Sequence, residues 1–73
     1  MVPLDHTLIY KARRVTTGAN VHQMGNLLFC YRQAVDLHNR GYKGHEQYHQ
    51  HYEDDLRQFV AAEAPALLRT LTR

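Results

Sequence analysis

Apolar side chains recur at intervals of three and four residues over about residues 20–40. This spacing is typical of one face of an α-helix, which has about 3.6 residues per turn. The pattern predicts a first long helix whose core stripe comprises Met24, Leu27, Leu28, Tyr31, Ala34, Val35 and His38. Asn20 is expected to cap its start, with Gln23 completing a capping box. Gly41 is expected to end it, because glycine readily adopts the left-handed conformation.

A second amphipathic pattern predicts another helix over about residues 45–64. Its core stripe comprises Tyr48, Tyr52, Leu56, Phe59 and Val60, with His45 and His49 on the same side. Pro65 is expected to end or kink this helix, because the residue before a proline is disfavoured in the helical region. Pro65 would then begin a short C-terminal helical turn.

The short connection at residues 41–44 places the two helices side by side and antiparallel. We therefore predict a mainly α fold: one small domain over residues 1–73, in which an N-terminal arm (1–18) precedes a helical hairpin (19–64) and a tail (65–73). Two helices alone bury little apolar surface. The arm or a second copy of the chain is therefore expected to cover the hairpin.

The conformation of the arm is open on sequence grounds. One helical face, with Asp5 as its cap, would comprise Leu4, Leu8, Ala12 and Val15. However, residues 7–10 and 15–17 are rich in strand-forming types, which favours an extended arm. Both helix and extended chain remain alternatives at this point.

Composition narrows the class of protein. The 73 residues carry nine Lys and Arg against seven Asp and Glu, for a net charge of +2. Cys30 is the single cysteine, which favours a reducing compartment such as the cytoplasm over a secreted disulfide scaffold. No window approaches the roughly 18 apolar residues of a membrane span, and the N-terminus lacks the pattern of a signal peptide. A membrane protein and a multidomain enzyme are therefore not expected.

Residues 45–49 match the zinc-protease motif H-E-x-x-H. A protease also needs an edge strand and a cleft to bind its substrate, and this short chain has little room for them. We therefore expect no enzymatic activity, no catalytic residue and no cofactor. An alternative remains open in which His38, His45 and His49 converge at the hairpin connection and bind zinc.

One basic cluster stands out in the arm. Lys11, Arg13 and Arg14 follow Tyr10, and Tyr and Arg are common anchors of protein interfaces. Phe29 projects opposite the core stripe of the first helix, where an exposed aromatic ring indicates a contact. The candidate partner-binding residues are therefore Tyr10, Lys11, Arg13, Arg14 and Phe29. The alternatives are a solvated charge run for the cluster and burial beneath the arm for Phe29.

The chain resembles small phage-encoded regulators that bind host bacterial RNA polymerase. The resemblance lies in its length, its mildly basic charge, the Lys11-Ala12-Arg13-Arg14 run in its arm and the helical pattern of the remainder. The resemblance implies binding to the largest polymerase subunit near its N-terminus. It also implies inhibition of initiation at σ-dependent promoters and antitermination by the elongating enzyme, in the host cytoplasm.

The resulting hypothesis is a non-enzymatic, protein-binding regulator that acts as a monomer or weak dimer. Two alternatives are a small nucleic-acid-binding protein that uses the basic arm and a His-rich metal-binding module. Nucleic acid would be at most a secondary partner of the regulator, and no membrane is expected to be involved.

Overall fold

The computed structural model describes the backbone of residues 1–42 and 47–71 and the side chains of residues 1–42 and 47–65. This part of the chain contains three helices and no strand: α1 (His6–Arg14), α2 (Val21–Asn39) and α3 (Tyr48–Leu71). The predicted mainly helical class is thereby confirmed. Within the described residues, no helix is long and apolar enough to cross a membrane.

The arm is helical over α1, so the extended alternative is wrong. Asp5 caps the helix, as predicted, because its Oδ1 accepts a hydrogen bond of 3.1 Å from the backbone N–H of Leu8. Strand-forming residue types do not prevent the helix, because Leu8, Ile9 and Ala12 are buried on one of its faces. Packing against the rest of the protein therefore overrides the local preference for strand.

Asn20 stands at the predicted start of α2 but does not form the predicted capping box. Its side chain makes no cap hydrogen bond to the helix. Instead, its Oδ1 accepts a bond of 2.8 Å from the N–H of Thr17, and its Nδ2 donates one of 3.1 Å to the carbonyl of Val15. Asn20 is buried, so these two bonds fix the turn that joins α1 to α2.

Gly41 lies just beyond the end of α2, as predicted. Gly41 has a φ of 79°, in the left-handed region. Its N–H donates to the carbonyl of His38, and the N–H of Tyr42 donates to the carbonyl of Leu37. These two bonds form a Schellman motif, which satisfies carbonyls that the helix end would otherwise leave unpaired.

Helix α3 extends beyond its predicted end. It passes through Pro65 and continues to Leu71, so the tail is not a separate helical turn. Pro65 lacks an N–H and cannot bond to the carbonyl of Ala61. The residues that follow include Ala66, Leu67 and Leu68, which are strong helix formers, and each further residue in the helix adds one backbone hydrogen bond.

Helices α2 and α3 pack antiparallel as predicted. His38 near the end of α2 and His49 near the start of α3 have ring centroids 4.4 Å apart. At the other end of the pair, Leu27 of α2 and Phe59 of α3 line the same surface hollow. The helical hairpin is therefore confirmed. The predicted connection at residues 41–44 lies partly outside the described residues.

The core forms where α1 covers the hairpin, as the arm was expected to do. The buried apolar cluster comprises Leu8, Ile9, Ala12, Val15, Met24, Tyr31, Val35, Leu56 and Val60. Most of the predicted core stripes are buried or partly buried. Tyr48 is an exception, because it opens α3 and is 50% exposed. His49 is buried next to it.

Three hydrogen bonds, made by two side chains of α2, hold the N-terminal residues against that helix. The side-chain amide of Asn39 pairs with both backbone groups of Val2, at 2.7 and 2.8 Å. The hydroxyl of Tyr31 accepts a bond of 2.8 Å from the N–H of Asp5. Burial raises the pKa of Tyr31, so this hydroxyl is protonated at neutral pH. The start of α1 is therefore held from two points on α2.

Candidate functional site

Four of the five predicted partner-binding residues lie on the outer side of α1. They are Tyr10, Lys11, Arg13 and Arg14, and all four are exposed. The ring of Tyr10 is 60% exposed, although a tyrosine is large enough to contribute to a core. The inner side of α1 is apolar and buried. The core therefore does not use these four side chains.

The cations on this outer side are not neutralised by the fold. Among the described side chains, no carboxylate forms an ion pair with Lys11, Arg13 or Arg14. The guanidinium carbon of Arg14 lies 5.7 Å from the ring centroid of Tyr10, which is the distance of a cation–π contact. This contact presents an aromatic ring and a positive charge side by side.

A groove runs between α1 and α3 beside these residues; we call it the α1–α3 groove. It has a volume of about 480 Å³ and is lined by Thr7, Tyr10, Lys11, Arg14, Val15, Val60 and Ala64. The α1 residues are spaced as on one helix face, which forms one wall. Val60 and Ala64 are one turn apart on α3 and form the other. The lining is mainly apolar, with positive charge at its rim.

A second hollow of about 300 Å³ adjoins the groove and shares Thr7, Lys11, Val60 and Ala64 with it. Here the cation of Arg57 is paired with two carboxylates. Nη2 of Arg57 lies 3.2 Å from Oδ2 of Asp5 and 3.4 Å from Oε1 of Glu53. The N–H of Leu8 and, to a smaller extent, Arg57 hold the pKa of Asp5 below its ordinary value. Unpaired positive charge therefore lies beside the α1–α3 groove, on Lys11 and Arg14, which have no carboxylate partner among the described side chains.

Phe29 does not join this surface. It is 65% exposed on α2, so the alternative of burial beneath the arm is wrong. It lies about 140° around α2 from the fully buried Met24, by the helix repeat of about 100° per residue, as the sequence pattern predicts. Phe29 lines neither of the two hollows beside α1. The five candidate residues therefore form a cluster of four and one separate aromatic ring.

Two of the three histidines in the zinc alternative lie together. The rings of His38 and His49 are tilted by 43° at a centroid distance of 4.4 Å. Nδ1 of His49 is buried and has no hydrogen-bond partner among the described residues. His45 and Glu46, two of the three defining residues of the H-E-x-x-H pattern, lie outside the described residues. No group of three metal-ligating side chains is found among the residues that are described.

Sequence reasoning missed the contribution of α3 to this site. The helical spacing predicts Val60 in the core stripe, and Pro65 predicts that the second helix ends at Ala64. In the structure both line the α1–α3 groove. A signal for a groove was present in the sequence, because small residues dominate positions 61–64 and leave space beside a neighbouring helix. Without the position of α1, that signal did not indicate which side would be open.

Comparisons with models of known protein families, with curated proteins and with solved structures found no match.

Proposed function

We propose that this chain is a non-enzymatic regulator that binds another protein through the outer side of α1. One observation carries the proposal. Tyr10, Lys11, Arg13 and Arg14 form an exposed cluster that contributes neither to the core nor to any ion pair among the described residues. Arg and Tyr are enriched among the residues that dominate binding energy at protein interfaces.

The partner we propose is host bacterial RNA polymerase, bound at its largest subunit near the N-terminus. The resemblance to small phage-encoded polymerase regulators supports this choice, and it implies a cytoplasmic location. Positive residues at the rim of an interface speed association with an acidic surface, while an aromatic residue such as Tyr10 provides a desolvated anchor. The cluster therefore suits an acidic region of a large protein.

Regulation by such a small protein requires a difference in affinity between two states of the polymerase. A ligand shifts an equilibrium only as far as it binds one state more tightly than the other. A tenfold difference corresponds to about 1.4 kcal/mol. Tighter binding to the polymerase without σ would inhibit initiation at σ-dependent promoters, and tighter binding to the elongating form would promote antitermination.

The test is binding to purified bacterial RNA polymerase, followed by transcription from a σ-dependent promoter and through a terminator. We expect Arg13→Ala/Arg14→Ala to weaken binding by about tenfold or more and to relieve inhibition in proportion. The matched control is Arg32→Ala/Arg40→Ala, which instead removes an exposed cation of α2 and the cation of its C-cap, which is paired with Asp36.

Equal effects of the two double variants would show that only total charge matters and would contradict the proposed surface. Failure of the wild-type chain to bind polymerase would contradict the proposed partner. Circular dichroism of each variant checks that the helices are retained.

A small nucleic-acid-binding protein is the second candidate, and the same unpaired cations favour it. Lys and Arg bind phosphates, and an exposed tyrosine ring can stack on a base. On naked DNA or RNA this function predicts affinity that falls steeply with salt, by about one power of salt concentration for each phosphate contact. The mainly apolar lining of the α1–α3 groove favours a protein partner over a phosphate backbone.

A further inference from the structure

We propose that the α1–α3 groove binds an acidic, amphipathic α-helix of the partner protein. This inference rests on the proposed function, since the helix would belong to the protein that the chain regulates. It adds the chemistry of the bound segment: apolar side chains on one face, with Asp and Glu along its flanks.

The apolar face of the proposed helix would match the apolar lining of the groove. Val15 and Val60 are buried at its base, and Ala64 is half-buried beside them. The exposed ring of Tyr10 and the aliphatic stem of Lys11 extend this surface outwards. A bound segment therefore gains by placing apolar side chains against these residues, which removes apolar surface of both molecules from water.

The acidic flanks of the proposed helix would complement the positive charge beside the groove. Lys11 and Arg14 stand at the rim, and Arg13 is adjacent to them in the sequence. None of these cations has a carboxylate partner among the described side chains. In contrast, Arg57 in the adjoining hollow is occupied by Asp5 and Glu53. Carboxylates on the flanks of a bound segment would meet the cations that the fold leaves unpaired, and a basic segment would be repelled.

The helical conformation follows from what the groove walls offer. Both walls are helices, and away from the helix ends their backbone N–H and C=O groups are bonded within each helix, except the carbonyl of Ala61, to which Pro65 has no N–H to donate. The described part of the chain has no strand whose edge could pair with an extended peptide. An extended segment would therefore place unsatisfied backbone groups against an apolar surface, which is costly. A helix satisfies its own backbone and presents only side chains.

The length of the groove sets the size of the bound face. Thr7 and Arg14 mark its ends along α1 and are seven residues apart, or about 10 Å at 1.5 Å per residue. That distance matches about two turns of a bound helix. We therefore expect two or three apolar anchors with spacings of three or four residues, as in other helix-in-groove complexes.

The test uses two synthetic, fluorescein-labelled peptides of about 16 residues, a length that supports helix formation. Both carry leucines at positions i, i+4 and i+7 and alanines elsewhere on that side. The first has Glu on its flanks, and the second has Lys at the same positions. We expect the acidic peptide to bind the full chain, measured by fluorescence anisotropy, at least about tenfold more tightly than the basic one.

Three variants of the chain locate the binding. Ala64→Leu fills the groove, and we expect it to weaken binding of the acidic peptide by about tenfold. Ala62→Leu is the matched control, because Ala62 is exposed and does not line the groove, and we expect it to leave binding unchanged. Lys11→Ala/Arg14→Ala should bring the affinities for the two peptides close together. Melting temperatures check that each variant is folded.

The outcomes separate this inference from the proposed function. Equal affinity for both peptides, or full binding by Ala64→Leu, overturns the groove proposal. Another outcome is that Ala64→Leu still binds polymerase and Arg13→Ala/Arg14→Ala does not. This outcome overturns the groove proposal and supports the proposed function. Peptide binding without polymerase binding supports the groove and overturns the proposed partner. If the chain forms a dimer and Ala64→Leu dissociates it, the groove binds a second copy of the chain. That result overturns the inference.

Discussion

Arg14 is the last residue of α1, and Arg57 of α3 lies beside the start of α1. Both side chains are exposed, but their surroundings differ. Arg57 is held between Asp5 and Glu53, at 3.2 and 3.4 Å. Its bond to Asp5 joins residues 52 positions apart and links the start of α1 to α3. Arg14 contacts the ring of Tyr10 on its own helix and has no carboxylate partner among the described side chains. Arg57 therefore helps to position α1, whereas Arg14 forms no ion pair between helices among the described side chains.

This difference shows how a small fold divides its charge. At the start of α1 the opposite charges meet within the chain, and the adjoining hollow has little charge to offer a partner. At the end of α1 the cations remain beside an apolar groove. Charge left unpaired next to apolar surface is therefore a more specific indicator of an interface than charge alone, because a solvated charge run lacks the apolar component.

Both regions exist only while α1 stays packed on the hairpin. The largest effect is therefore expected from a substitution that weakens the core beneath α1. Leu56 is completely buried in the cluster that α1 covers. We expect Leu56→Ala to lower the free energy of unfolding by about 2–5 kcal/mol, through lost burial and the cavity left behind. Urea unfolding followed by circular dichroism measures it. Leu28→Ala, at a half-buried position of α2, should cost clearly less; equal losses would contradict this description of the core.

The next largest effect concerns Asp5, which belongs to the paired region. Asp5→Ala removes the cap of α1 and the partner of Arg57, and we expect a loss of about 1 kcal/mol, as for other N-cap substitutions. Asp5→Asn keeps an oxygen that can cap and should lose less. Urea unfolding at neutral pH compares the three proteins. A loss in Asp5→Asn as large as in Asp5→Ala would show that charge, rather than capping, dominates.

Asp5 also predicts a pH dependence of stability. Its pKa in the folded protein lies below its ordinary value, chiefly because the N–H of Leu8 favours the ionised form. The folded state therefore binds fewer protons than the unfolded state, and stability from this group is complete above the ordinary pKa and lost as the pH falls through the folded pKa. We expect the difference in unfolding free energy between wild type and Asp5→Ala to be constant above about pH 5 and to shrink as the pH falls below about 4. A constant difference would contradict this assignment.

A smaller effect tests the two arginines directly. Arg57→Ala should lower the free energy of unfolding by no more than about 1 kcal/mol, because exposed ion pairs contribute little. Arg14→Ala should change stability even less and should instead weaken partner binding. Thermal unfolding at low and high salt measures the stability of both variants. Fluorescence anisotropy of the labelled peptide measures the binding of Arg14→Ala. If Arg14→Ala destabilises the fold more than Arg57→Ala, the division between the two regions is wrong.

The smallest expected effect concerns zinc. Among the described residues, His38 and His49 have no third metal-ligating side chain beside them, and we expect added zinc to leave the melting temperature unchanged. A rise in melting temperature with zinc that disappears in His49→Ala would instead support the metal-binding alternative. Calorimetry in the presence and absence of a chelator distinguishes these outcomes.

Local patterns in the sequence predicted the hairpin well. The three- and four-residue spacing around Tyr31 and Leu56 identified both buried faces, and Gly41 correctly marked the end of α2. Local rules were less reliable where a tertiary contact competes with them. Strand formers in α1 are held in a helix by packing, and Asn20 bonds to the preceding turn instead of capping α2. Pro65 costs α3 one hydrogen bond without ending it.

The candidate site was predicted in its chemistry but not in its shape. The basic and aromatic character of α1 was evident from Tyr10 to Arg14. The groove was not, because it exists only where α1 lies beside Val60 and Ala64 of α3. Those residues are about 50 positions further along the chain, and no local pattern specifies how α1 is placed against them. For the same reason the separation of Phe29 from the basic cluster was not predicted.

The Schellman motif at Gly41 has a consequence for engineering the molecule. Helix α2 ends through hydrogen bonds from Gly41 and Tyr42 themselves, so its termination does not depend on the sequence that follows. Lengthening a loop costs only about 0.6 kcal/mol for each doubling. Val60 lies twelve residues beyond the start of α3, about 18 Å along the helix. An insertion between residues 42 and 47 should therefore accommodate a fluorescent reporter at a distance from the α1–α3 groove.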